Sequence, residues 1–166
     1  FFDDFSGYRN NRCFTDGCNF GAWNIVWTGY GTVSVPNTQH NFGPSYIELS
    51  PQVVDAAAIG SSTLVVGPTF SGSLALETTL KTTQQLRTGR QGDPWEVGWV
   101  LWNYTTNRNF YYFIPKPNGW ELGKADPAYA GDQRFLATGT SPRFPIGANY
   151  TVKVTQDTKN TIRVWV

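Results

Sequence analysis

Charge, imidazole, thiol and long apolar runs are all scarce in this chain, and each scarcity removes a class of function. Thirteen basic residues against twelve acidic ones leave a formal net charge of +1 over 166 residues. That is neither the electrostatic footprint of a nucleic-acid partner nor a basic patch for an anionic membrane. No run approaches the roughly 20 apolar residues of a membrane span. The opening FFDDFSG is not a basic and apolar leader, so the expectation is that any signal peptide has already been removed or was never present. Gly-x-Ser-x-Gly, a phosphate-binding glycine loop and His-Glu-x-x-His are all missing, which removes serine-hydrolase, nucleotide and zincin chemistry. The single histidine, His40, sits in a polar stretch at 39–41 and is the only imidazole a lyase could use.

What is abundant points to an all-β, secreted domain: aromatics make up 16% of the residues, charged residues only 15%, and there are 17 glycines. The two cysteines, Cys13 and Cys18, flank Phe-Thr-Asp-Gly, a turn-forming spacer that can bring them within bridging distance. A disulfide is expected there, worth about 2 kcal/mol on the chain-entropy model. Period-two patterns mark strands at 1–6, 45–49, 63–66, 72–87, 133–138 and 149–155, and a hairpin or bulged strand over 23–35. In 72–87, Leu74, Leu76 and Leu80 alternate with Glu77, Thr79 and Lys81, as in an antiparallel sheet with one solvated side. One helical turn at 53–59, stopped by Gly60, is all the helix expected. The pattern predicts one domain over 1–166, an antiparallel two-sheet sandwich in preference to a barrel. Its last strand, TIRVWV, breaks off while still strand-like. Either the natural protein continues or that strand lies inside a sheet, and an incomplete sheet invites self-association with a neighbouring chain.

Residues 95–126 are the densest stretch, with four of the seven tryptophans. They read as two long strands and the start of a third, turning at 104–109 and 116–119, with polar residues set among the rings. Such interleaving suits a sugar, which offers an apolar face and a belt of hydroxyls; a sandwich core with polar edges is the competing reading. Alternation assigns Trp95, Val97, Trp99 and Leu101 to the core face and Glu96, Val100, Trp102 and Tyr104 to the other. Trp102, Tyr104, Tyr112 and Trp120 are therefore the candidate rings for a polysaccharide, and Lys116 and Lys124 the candidate polar partners. A glycosidase would need two flanking carboxyl groups; Glu96 and Glu121, each beside a tryptophan, are the candidates. A lyase would draw on Tyr112 with Lys116. Asp3 and Asp4, with Asp16 and Asn19, are candidate calcium ligands, since an all-oxygen site can be scattered through loops; the alternative is aspartates that cap turns. Asn103 and Asn149 begin glycosylation acceptor triplets.

Asp3-Asp4-Phe5-Ser6-Gly7, Trp23, Tyr46-Ile47-Glu48-Leu49, the strand 76–81 and the block YYFIPKPNGWELGKAD at 111–126 together resemble the concanavalin A-like lectin/glucanase superfamily, in particular its secreted laminin-G-like domains. The resemblance implies a jelly roll whose concave sheet holds a saccharide, with calcium near the opening strand and the closing one. That superfamily holds glycosidases, lyases and non-catalytic lectins, so it leaves binding and cleavage both open.

Overall fold

Short runs of β-branched and aromatic residues punctuated by glycine and proline do fold as strands, and in the computed structural model, which describes residues 1–36 and 45–166, the architecture is all-β. The loop that carries His40 lies outside the described residues. The chain divides into two compact units, residues 1–69 with 86–91 and residues 70–85 with 92–166. Among the described residues the strands form four antiparallel sheets, two in each unit.

The first unit contains β1 (Arg12–Cys13), β2 (Asn19–Phe20), β3 (Trp23–Trp27), β4 (Thr32–Ser34), β5 (Glu48–Ser50) and β6 (Leu64–Val66). They pair in the orders β1-β4-β5 and β2-β3-β6. Residues 23–35 are thus not a hairpin, because β3 and β4 go to different sheets. Gly29 and Tyr30, both in the left-handed region (φ 65° and 57°), turn the chain between them. The core gathers Cys13, Phe20, Ile25, Val33 and Val35, with Phe5, Tyr8 and Trp23 packed against it. Cys13 and Cys18 are joined in a disulfide, as expected. No strand forms at 1–6, because the Asp3 and Asp4 carboxylates accept the Phe5 and Ser6 amides at 2.8 and 2.9 Å and bend the backbone into a 3-10 turn at Ser6–Tyr8. No helical turn forms at 53–59 either, where Asp55 accepts the Ala57 and Ala58 amides in its place.

The second unit contains β7 (Leu74–Leu80), β8 (Val100–Thr106), β9 (Asn109–Lys116), β10 (Gly119–Ala125), β11 (Gln133–Gly139), β12 (Tyr150–Gln156) and β13 (Ile162–Trp165). A four-stranded sheet runs β11-β10-β9-β8 and a three-stranded sheet runs β13-β12-β7. The three strands expected within 95–126 are present, with their turns where the sequence put them. Cross-strand register sorts side chains by face. Val100 lies opposite Phe113, Phe113 opposite Leu122, and Trp102 opposite Tyr111, itself opposite Lys124. This is the inward face. Val100, Trp102 and Phe113 pack with Val152 and Val154 of β12 and with Leu74, Leu76 and Leu80 of β7 into one core, making this unit a two-sheet sandwich.

The face assignment in β8 is therefore reversed relative to expectation. Trp102 is only 4% exposed and lies in the core, whereas Trp95 is 38% exposed. Alternation fixes which residues share a face but not which face is inside, and both faces of this strand carry large rings. The one polar atom of Trp102 is satisfied: its indole N–H donates to Gln156 Oε1 at 2.7 Å, and the same oxygen accepts from Asn103 Nδ2 at 3.1 Å. Gln156 is itself buried and passes a bond on to Asn160.

Trp102→Ala is expected to cost about 3–5 kcal/mol in urea unfolding, through the cavity it leaves, and Trp102→Phe about 1 kcal/mol through the bond lost at Gln156. A Trp102→Ala variant as stable as the parent would return this ring to the surface.

Candidate functional site

The opposite face of the four-stranded sheet carries the polar chemistry. Tyr112 lies opposite Gly123, Ile114 opposite Glu121 and Lys116 opposite Gly119, so Tyr112, Glu121 and Lys116 point to one side. Glu121 is 8% exposed. Its Oε1 accepts the Tyr112 hydroxyl at 3.1 Å and its Oε2 accepts Lys116 Nζ at 2.9 Å. A carboxylate this deep persists only when paired and hydrogen-bonded, and both of its oxygens are engaged. Gly123 makes the arrangement possible, since a Cβ there would fall 2.3 Å from the Tyr112 phenol oxygen.

Aromatic rings continue from this network along the same face. Tyr112 packs against Trp99 (centroids 5.0 Å apart) and Phe110 (6.2 Å), and Phe110 stacks on Tyr104 (6.1 Å). Tyr104 joins this row because Asn103 adopts a left-handed conformation (φ 51°) where the β8–β9 register slips, which turns the strand over by one residue. The Tyr104 hydroxyl is occupied by Asn107. Trp99, read from the sequence as core, belongs instead to this row, and its indole N–H donates to the Trp95 carbonyl at 2.8 Å.

At the end of the network near the β9–β10 turn, Lys116, Asn118, Trp120, Thr138, Gly139 and Thr140 line a surface hollow of about 450 Å³. Trp120 is only partly buried. Its indole N–H donates to the Ser141 carbonyl at 2.9 Å, and its ring lies directly over Gly139, where a Cβ would come within 2.5 Å. The ring is thus held in place, with hydroxyls, an amide and an ammonium around the same opening. Lys116 and Trp120, two of the expected sugar-binding residues, meet here at the end of the strands from opposite faces of the sheet: Lys116 is bonded to Glu121, while Trp120 lies opposite Pro115 and packs beside Phe113 on the inward face. Asn118, Thr138 and Thr140 carry no sequence signal of their own, since β11 joins β9 and β10 only through pairing across the sheet.

The remaining expected residues lie apart from the hollow. Trp102 is core. Lys124 is on the inward side, ion-paired to Asp126 at 3.1 Å and 5.9 Å from the Tyr111 ring centre; its hydrogen bond, reinforced by the Ala128 amide, holds the Asp126 carboxyl below its ordinary value. Glu96 lies ahead of β8, where its amide closes a turn on the Asp93 carbonyl, and it is not among the partners of Glu121. Burial first, and then the Glu121 charge, push the Tyr112 hydroxyl well above the ordinary tyrosine range. A proton-abstracting phenolate needs the opposite shift.

The N-terminal aspartates are engaged in hydrogen bonds within the first unit. Asp3 spends Oδ1 on the Phe5 amide and Oδ2 on the Trp23 indole at 2.7 Å, Asp4 bonds Ser6, and Asp16 bonds Thr28. Among the described residues no group of three or more His, Cys, Asp or Glu could hold a metal ion. The Asp3–Phe5 and Asp4–Ser6 bonds are of the turn-capping kind that the sequence offered as the alternative. Comparison of the chain with family models, with curated proteins and with solved structures returns no match.

The raised Tyr112 value carries a pH signature. The unfolded chain ionises this phenol near pH 10 while the fold keeps it neutral, so its contribution is complete below about pH 10 and is lost as pH rises through the folded value. An ultraviolet tyrosinate titration should leave one tyrosine protonated until the protein unfolds. Tyr112→Phe should remove that signature and cost about 2 kcal/mol at neutral pH by stripping a donor from buried Glu121.

Proposed function

We propose that the second unit is a secreted carbohydrate-binding module of the jelly-roll kind, similar to the concanavalin A-like lectins, and that its hollow takes one residue of a polysaccharide. The carrying observation is the convergence of the immobilised Trp120 ring with Lys116, Asn118, Thr138 and Thr140 at one opening. The ring offers a π face to the apolar side of a pyranose, and the hydroxyls, amide and ammonium answer its hydroxyl belt. Lys116 brings a positive charge that Glu121 already balances at 2.9 Å. The hollow therefore favours neutral saccharides over uronates, which would need an uncompensated cation.

Binding without cleavage fits the site better than hydrolysis or elimination. To act as an acid, base or nucleophile Glu121 would have to leave both Tyr112 and Lys116, and no second carboxylate partners it. The raised Tyr112 hydroxyl argues against elimination. Secretion is supported by the disulfide.

Isothermal titration against soluble neutral and acidic polysaccharides tests the reading. A neutral glucan, xylan or mannan should bind, and Trp120→Ala should weaken it about tenfold or more, a loss of about 1.4 kcal/mol. Thr138→Ala, on an exposed strand, should weaken binding severalfold with the unfolding curve unchanged. Binding that survives both substitutions, or no binding to any polysaccharide, overturns the proposal, and reducing-sugar release abolished by Glu121→Gln would replace it with the hydrolase.

A further inference from the structure

The first unit carries a second hollow, of about 650 Å³, that the second unit's chemistry does not account for. Three rings line it: Phe14, 64% exposed, Tyr30, 90% exposed, and the partly buried Trp27. Among the rings stand the Asp16 carboxylate, the Gln52 amide and the Ser62 hydroxyl. We propose that this hollow is a saccharide-binding site in its own right, taking an uncharged oligosaccharide with its pyranose faces against Tyr30 and Trp27 and its hydroxyls on Asp16, Gln52 and Ser62.

Tyr30 is the observation that carries this furthest. A bulky side chain in the left-handed region (φ 57°) strains the backbone. At 90% exposure the ring returns almost nothing through burial. Glycine would serve the turn better, so the fold itself gives no reason for a tyrosine at this position. An aromatic plane held outward beside two further rings and a set of hydrogen-bonding groups has such a reason in a ligand.

The walls are also braced before any ligand arrives. Asp16 lies in the loop closed by the Cys13–Cys18 disulfide. Its Oδ1 accepts the Thr28 amide at 2.8 Å and the Thr28 hydroxyl at 3.2 Å, and no other bond engages the carboxylate among the described residues. Oδ2 is thereby left as an acceptor, suited to a sugar hydroxyl pair. The Gln52 backbone N–H donates to the Gly29 carbonyl at 2.9 Å, Ser61 Oγ to the Gln52 backbone carbonyl at 2.6 Å, and Thr63 Oγ1 to the Thr28 carbonyl at 3.0 Å. Every segment around the opening is tied to another, so binding orders little additional chain and retains more of its contact energy. One carboxylate among neutral donors disfavours an anionic ligand.

The test is an amide and indole NMR titration of the full chain with hexasaccharides of glucan, xylan and mannan. For at least one, resonances of Trp27, Gly29, Tyr30 and Ser62 should shift saturably. Tyr30→Gly should weaken that binding about tenfold or more while leaving the melting temperature equal or higher, an outcome that a structural role for the ring does not produce. Trp120→Ala should leave this site's affinity unchanged. Shifts confined to Lys116, Trp120 and Thr138 would overturn this inference and leave the second unit's reading standing. Shifts confined to the first unit would do the reverse, and no shift at either site would remove both. A Tyr30→Gly variant that binds like the parent, or that is destabilised, also overturns it.

Discussion

The buried Glu121 carboxylate constrains the second unit more than any apolar contact does. A charge under a sheet face has to be matched by a cation and a donor, and the sequence supplies them from the neighbouring strand, Lys116 and Tyr112 at 2.9 and 3.1 Å. Matching them requires β9 and β10 in one register only, because a slip of one residue would put Glu121 on the opposite face from Tyr112 and Lys116. It also requires a strand position without a side chain, which Gly123 provides beneath the Tyr112 ring. The network thus fixes the register, the register fixes which rings face the β12 and β7 core, and the hollow beside Trp120 is what remains at the end of the same strands.

The inward face works by the opposite rule. There Trp102, Phe113, Val152 and Val154 exclude water, and the polar atom of the buried Trp102 ring, its indole N–H, is met by Gln156 from the second sheet. A polar group admitted to an apolar core and answered by one partner ties the two sheets at a defined point, where apolar packing alone would tolerate sliding. Gln156 reads in the sequence as an unremarkable turn residue at the end of a strand, and its role exists only because β12 packs across from β8.

Much of the architecture was legible from periodicity. The three strands of 95–126, the leucine-lined strand facing the core at 74–80, the all-β class and the Cys13–Cys18 bond all follow from local pattern, because strand pleat and turn chemistry act over a few residues. Other readings did not hold, each because something outside the local period decided the outcome. Residues 1–6 alternate like a strand, yet Asp3 and Asp4 offer their backbone side-chain acceptors that win over any ladder. Residues 23–35 alternate across Gly29, yet the left-handed pair Gly29-Tyr30 sends β3 and β4 to different sheets. In β8 both faces are aromatic, so alternation could not say that Trp102 is the buried set and Trp99 the other.

The sequence by itself determined the element types, the turns, the disulfide and the residue classes able to meet a sugar, since each depends on neighbours within one strand or loop. Only the tertiary structure decided which of those residues meet. Lys116 and Trp120 share an opening with Thr138 because β11 pairs with β10 at the end of the strands, although Trp120, like Lys124 further along, lies on the inward face, beside Phe113. Likewise Phe14, Trp27 and Tyr30 come together through a disulfide loop and a strained turn that no period describes. Alternation is a property of one strand, whereas a site is a property of which strands lie side by side and which face is covered.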